Sequence, residues 1–360
     1  MRKYLPTLLF IAALVSLIAS VSYNLAHATI VSFCLFCLCF VACMINLARK
    51  EKFLSSFILL ILSMGGGLIS LLFHILEGIH FSAWGRPLRI RNKIAHAKLV
   101  SGNTWARGPK PDCSNLDATT REVLAKLWYY DAQKEHASVP AFARLIWILT
   151  SLGAKPRLLE RLHYCGLQEI EHARRTLTLA NAYADAEKSF DAFPSMMGEK
   201  LGFSSKHPWA ELAAETVLDG CLIEDFNADL ADEALSHTED PAALQMMKII
   251  AKEERFHATV AWEILEYCLE QDREAVSEKL KQQIQKLPNL PVELNTAMRK
   301  LISESNPVEL RRHGRVPEEK WNPIYLQRRE KTRARIEGML SDKSYFHSHP
   351  TRESEAMALH

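Results

Sequence analysis

Four Glu-x-x-His pairs occur in this chain: Glu77/His80, Glu160/His163, Glu169/His172 and Glu254/His257. Residues three apart on an α-helix share a face, so each pair can aim a carboxylate and an imidazole at one point. Their neighbours separate them. Glu160 and His163 share a stripe with Arg157, Glu171 and Arg174, a solvated face. Glu169 and His172 share theirs with Leu158, Leu162, Cys165, Gly166, Ala173 and Thr176, where an unpartnered carboxylate is costly. Glu254 and His257 lie with Met247, Ile250, Ala251, Ala258 and Ala261, again apolar. Glu77/His80 has no matching partner and reads as interfacial. Two single carboxylates pass the same test. Glu224 lies among Val217, Gly220, Cys221, Ala228 and Ala231, whereas Glu215 points to the opposite side of its helix. Glu135 sits with Ala132, Ser138, Val139 and Phe142.

One Glu from each of two helices and a Glu-x-x-His from each of two others is the donor set of di-iron carboxylate bundles. Four carboxylates offset most of the charge of two ferrous ions. One imidazole per metal favours iron or manganese over calcium. A single buried Glu–His pair is more often a core hydrogen bond. Six such residues, Glu135, Glu169, His172, Glu224, Glu254 and His257, in the required order predict a site for two iron ions, with manganese as the alternative metal.

Helices must position these groups. Helical patterning begins near Thr120 and runs to Leu152, with Gly153 as its stop. Lys155-Pro156 opens a second helix that reaches about Ala184. Residues 186–207 form a long irregular connection. A third helix covers about Pro208–Ser236, and Asp240-Pro241 starts a fourth that ends near Gln271. No strand alternation stands out. Four long helices with a long crossover between the second and third match the ferritin-like plan, so residues 119–272 are expected to form an all-α four-helix bundle. Two weaker helices (about 273–287 and 292–304) begin a C-terminal helical extension over 273–339, and 340–360 has a disordered composition. Residues 81–118 read as a linker and docking segment.

The N-terminal part differs in kind. The 360 residues are 48% hydrophobic and 24% charged with net charge +2, which resembles an average protein only because the apolar residues are unevenly spread. No Asp, Glu, Lys or Arg occurs from Tyr4 to Ala48 or from Phe53 to Leu76. These runs predict transmembrane helices at roughly Leu5–Tyr23, Ile30–Leu47 and Phe53–His74, hence a membrane anchor over 1–80 with the lipid bilayer as a partner. A cleaved signal peptide ending at Ala26-His27-Ala28 is the rival for the first segment. The basic residues on the two sides balance, so the positive-inside rule leaves the membrane side of the bundle open. The composition argues against a wholly soluble chain, a disordered one and a basic nucleic-acid binder. Of the eight cysteines, Cys34, Cys37, Cys39 and Cys43 fall in the second apolar run and read as small packing residues. Cys113, Cys165, Cys221 and Cys268 are too dispersed for a disulfide framework or a zinc ribbon.

The segments Glu135-His-Ala-Ser-Val-Pro-Ala-Phe-Ala-Arg144, Gln168-Glu-Ile-Glu-His-Ala173, Gly220-Cys-Leu-Ile-Glu224 and Glu253-Glu-Arg-Phe-His-Ala258 with Trp262 resemble a bacterial ferritin-like family. Gly85-Arg-Pro-Leu-Arg89 resembles that family's lead-in, and the likeness covers roughly 85–272. It implies a di-iron-type bundle with Glu135, Glu169, His172, Glu224, Glu254 and His257 as ligands. Two features depart from the family pattern. Gln168 and Glu253 replace an Asp that precedes each Glu-x-x-His, a position suited to accept the second imidazole N–H. Pro140 replaces a more usual Ala and removes a backbone bond to the His136 carbonyl, which predicts a bend beside Glu135.

The function expected from these features is an O2- or peroxide-dependent di-iron oxidoreductase, held at the cell membrane as a multi-pass protein. A lipid-like substrate is suggested by that location alone, an electron donor is required, and oligomerisation stays open. Tyr129, Tyr130, Tyr164 and Trp262 are near enough in sequence to relay electrons, though each fits core packing too. The alternatives are a ferroxidase or peroxide scavenger, and a scaffold that keeps a structural metal.

Overall fold

The computed structural model describes residues 86, 88–90, 93–193, 202–203, 205–289 and 296–341. These fold almost wholly as helices. The short β1 (Arg89–Ile90) and β2 (Lys93–Ile94) form one antiparallel pair; β3 (Leu99–Ser101) pairs with β4 (Lys188–Phe190), which follows the second helix. The helices are α1 (Ala118–Ser151), α2 (Pro156–Ala184), α3 (Pro208–Thr216), a π-helical segment (Val217–Glu224), α4 (Asp225–Leu235), α5 (Pro241–Gln271), α6 (Arg273–Gln285), α7 (Thr296–Ser303), α8 (Pro307–Arg312) and α9 (Glu318–Ser341).

Local chemistry sets the ends. The Asp117 carboxylate accepts the Thr120 N–H at 2.8 Å and starts α1. Gly153, at φ +77°, turns the chain towards Pro156 at the first turn of α2. Asp240 caps α5 by accepting from Ala243 N–H at 2.8 Å, with Pro241 beside it. α1 continues through Pro140, and the nearby Ala137 carbonyl accepts the backbone N–H of Leu88 at 3.0 Å. Pro140 has no N–H of its own to donate into that turn. The stretch read as a linker is thereby docked: Gln133 Nε2 also donates to the Ala97 carbonyl at 2.9 Å.

α1 packs along α2, α4 and the π segment pack along α5, and α2 closes against α5. Two apolar regions fill the interior. One holds Phe142, Leu145, Leu162, Cys221 and Leu265; the other holds Leu124, Trp128, Leu177, Ala231 and Met247. The polar segment after residue 305 is helical. α8 and the turn after it are tied down by Arg315–Asp131 at 2.6 Å and Tyr183 Oη–His313 Nδ1 at 2.8 Å, and α9 by Arg328–Asp229 at 2.6 Å. α9 reaches Ser341, so the start of the expected disordered tail is helix; residues 342–360 lie outside the described residues.

Two expectations are corrected. The third helix is not uniform: eight residues in its middle are wound as π-helix. Apolar periodicity cannot reveal this, because a π turn changes the backbone bonding without changing residue type. The second concerns the membrane. Among the described residues, no helix is long and apolar enough to cross a membrane, which overturns the expected fold with transmembrane helices ahead of the bundle, and the multi-pass membrane location. The apolar runs behind that expectation, with the rival signal peptide and Cys34 to Cys43, lie outside the described residues. The lipid-like substrate loses its support with the location.

Candidate metal centre

Between the two apolar regions lies one polar layer. α1 supplies Glu135, α2 supplies Glu169 and His172, the π segment ends on Glu224, and α5 supplies Glu254 and His257. All six side chains are buried, none more than 2% exposed. They fall into two overlapping groups: Glu135, Glu169, His172 and Glu254, and Glu169, Glu224, Glu254 and His257. In each group one donor atom per residue lies within 4.8 Å of all the others. Glu169 and Glu254 belong to both. Sequence reasoning selected these six residues, and the fold brings all six together.

The histidines face the layer through Nδ1. His172 Nδ1 stands 3.5 Å from Glu135 Oε2, 3.7 Å from Glu169 Oε2 and 3.5 Å from Glu254 Oε1. His257 Nδ1 stands 3.3 Å from Glu169 Oε1 and 3.6 Å from Glu254 Oε2. Most of these separations are too long for good hydrogen bonds. They do match donors that share an ion: two atoms each about 2.1 Å from one metal stand about 3.0 Å apart at a right angle and about 3.4 Å at the tetrahedral angle. Glu135 Oε2, both oxygens of Glu169, Glu224 and Glu254, and Nδ1 of both histidines have no hydrogen-bond partner. Buried polar atoms are rarely left so. A cluster of orphaned acceptors converging on one layer has the chemistry of a cation site.

The outer nitrogens are satisfied across the interior. His172 Nε2–H on α2 donates to Glu253 Oε2 on α5 at 2.8 Å, and His257 Nε2–H on α5 donates to Gln168 Oε1 on α2 at 3.0 Å. Each hydrogen bond fixes the tautomer that leaves Nδ1 free as a ligand. The partner of each histidine sits on the opposite helix, which spacing along one helix does not show.

The carboxylates and imidazoles of the metal-free layer shift one another. Burial pushes Glu135 up to about 8, and burial together with the charge of Glu254 holds Glu224 well above the ordinary carboxylate range. Burial acts the same way on Glu169 and Glu254, but His172 and His257 outweigh it and hold both below their ordinary values. Burial alone would lower the histidines; the carboxylates instead raise His172 well above its usual value and His257 to about 10. The upward shifts favour protons on Glu135, Glu224 and the two histidines, and divalent ions must displace those protons to bind.

The remaining candidates are spread out. Glu160 and His163 are exposed, Glu215 pairs with Arg144 at 2.5 Å, and Glu77/His80 lies outside the described residues. Tyr129 donates to Asn181 Oδ1 at 2.8 Å; Tyr130 and Tyr164 are exposed. Trp262 is buried, and its indole N–H lies 3.5 Å from Asp225 Oδ2, next to Glu224 in the chain. Sequence reasoning did not single out Arg86, which the fold places inside the helical assembly at 4% exposure. A charged residue between Gly85 and Pro87 carries no burial signal of its own.

What stands is a mostly helical protein with a buried Glu/His cluster that can hold metal, compatible with a helical di-iron bundle. No protein-family model, no curated protein and no solved structure matches this chain.

Proposed function

We propose that the chain is a di-iron carboxylate protein of the ferritin-like four-helix kind, acting as an oxidoreductase on O2 or peroxide. The observation that carries this is the set of orphaned buried donors shared by two groups, each with one outward-anchored histidine. Glu135 and His172 would serve one ion and Glu224 and His257 the other, with Glu169 and Glu254 shared between them. Such a pair of irons, when bound, supplies the electrons that reduce oxygen or peroxide. The protein's own part is to orient both imidazoles, exclude water and release protons from Glu135, Glu224, His172 and His257 as metal enters. Manganese would fit the same donors.

Full-length protein exposed anaerobically to Fe(II) should bind two irons per chain and change its absorbance when O2 is admitted. Binding without any reaction to O2 or peroxide would sink the redox reading and leave a structural metal site. The near-complete burial of all six residues favours a second reading, a ferroxidase or peroxide scavenger, because such a site admits small reactants most readily. Catalytic oxidation of excess Fe(II), beyond two per chain, separates that reading from oxidation of an organic substrate.

A further inference from the structure

Glu135 and Glu224 are the two singly used carboxylates of the metal layer, and they come from α1 and the π segment. The lead-in segment joins those two elements. Leu88 N–H donates to the Ala137 carbonyl of α1 at 3.0 Å, two residues past Glu135. Arg89, the next residue, donates through Nη1 to Asp219 Oδ2 of the π segment at 2.5 Å. The lead-in is kept in shape by the β1–β2 pairing and by Ala95 N–H, which donates to the Leu88 carbonyl at 2.9 Å. The Arg89–Asp219 pair is mostly shielded from water, its side chains 21% and 11% exposed. Burial and the charge of Glu215 raise Asp219, and the charges of Arg89 and Arg86 oppose that rise. Glu215 is itself held by Arg144 of α1 at 2.5 Å, but it lies in α3, ahead of the π segment. Gly220, beside Asp219, lets Arg86 Nη2 and Ala261 of α5 lie against the segment, where a Cβ would collide with both.

The π winding gives these contacts a consequence. It occurs mostly as single turns inside α-helices, so a stretch of eight residues needs holding from outside. Glu224 is the last of the eight. A π-helix bonds each residue to the one five positions on, so Asp219 and Glu224 stand one π turn apart. In α winding, residues five apart do not share a face. Fixing Asp219 in the π winding therefore fixes which way Glu224 faces. Removing one member of a mostly buried ion pair strands the charge of the other.

We propose that Arg89 is a positioning residue of the metal centre: through Asp219 it holds the winding that turns Glu224 into the layer. The role rests on the two-metal reading of the site, and it belongs to the Glu224/His257 ion. The Leu88–Ala137 bond joins two backbones and survives substitution of Arg89, so the Glu135/His172 ion is spared.

The test titrates full-length protein with Co(II) in the absence of O2, read by visible absorption and by competition with a chelator. The unmodified chain should take up two Co(II). Arg89→Met should weaken one of them about tenfold or more, the scale expected for groups that support a ligand, and leave the other unchanged. Arg89→Lys keeps the charge and should recover part of the loss. Asp219→Asn should reproduce Arg89→Met, and it decides the matter if Arg89→Met does not fold. Added to Glu135→Ala, Arg89→Met should weaken the one ion that remains; added to Glu224→Ala, it should change nothing further. Equal weakening of both ions, or a further loss in the Glu224→Ala background, would overturn the proposal. Two Co(II) bound as tightly by Arg89→Met as by the unmodified chain would remove the role of Arg89 and leave the two-metal reading standing. No Co(II) bound by the unmodified chain would remove both.

Discussion

The two halves of the metal layer are built alike and backed differently. In the half around His172, Glu135 comes from regular α-helix, and the outer imidazole nitrogen meets the carboxylate of Glu253. In the half around His257, Glu224 comes from the end of a π segment, and the outer nitrogen meets the neutral amide of Gln168. A charged partner increases the electron density of the imidazole it anchors, whereas an amide only orients it. The two halves are therefore backed unequally, and under the proposed two-iron reading the His172 half would be the better home for the more highly charged ion. The shared Glu169 and Glu254 link the halves; the singly used Glu135 and Glu224 keep them distinct.

Removing a shared ligand should abolish the comparison. Glu169→Ala or Glu254→Ala is expected to bring metal content close to zero, while Glu135→Ala and Glu224→Ala each lose one ion and keep the other. Elemental analysis of the four variants reads this directly, and equal losses in all four would show that the two groups do not act as separate sites.

Acid should empty both halves. Glu135, held at about 8, and His257, held at about 10, must lose protons before metal can enter, as must Glu224 and His172, which are also raised. Metal affinity should therefore rise steeply from pH 6 to pH 9, with protons released on binding, both measurable by titration in buffers of different ionisation heat. The metal-free chain should show the opposite trend in stability. Both Glu135 and His257 have folded values above their ordinary 4.5 and 6.5, so their contributions are complete below those values and are lost as pH rises through about 8 and about 10. Tm of the metal-free protein should fall across that range, and Tm of the loaded protein should fall less.

A subtler change separates the halves by their backing. Glu253→Gln should weaken the His172 site by about 10- to 100-fold, and Gln168→Glu should strengthen the His257 site. Competition with a coloured chelator resolves two affinities, and the double exchange should interchange their order. At the far end of the scale, Glu160→Gln and His163→Ala sit on an exposed face and should change stability by less than about 0.5 kcal/mol, with metal content unaltered.

Much of this was legible before folding. Glu169/His172 and Glu254/His257 stood out because polar residues on apolar helical faces are costly, and the same test dismissed Glu160/His163 and Glu215. Helix ends were readable at Asp117, Gly153, Pro156 and Asp240, where capping and backbone restrictions act within a few residues. The membrane expectation was different in kind. It rested on runs lacking charged residues, and among the described residues no helix fulfils it.

The sequence by itself determined which six side chains could serve as ligands, because helical periodicity and residue chemistry are local properties. It also determined that four helices would present them. Only the tertiary structure decided that each histidine is held by a residue of the opposing helix, that Glu224 is delivered by a π segment, and that Arg86 enters the interior over Gly220. Those three depend on which surfaces meet, and a contact between residues 81 to 134 positions apart leaves no periodic trace in either partner.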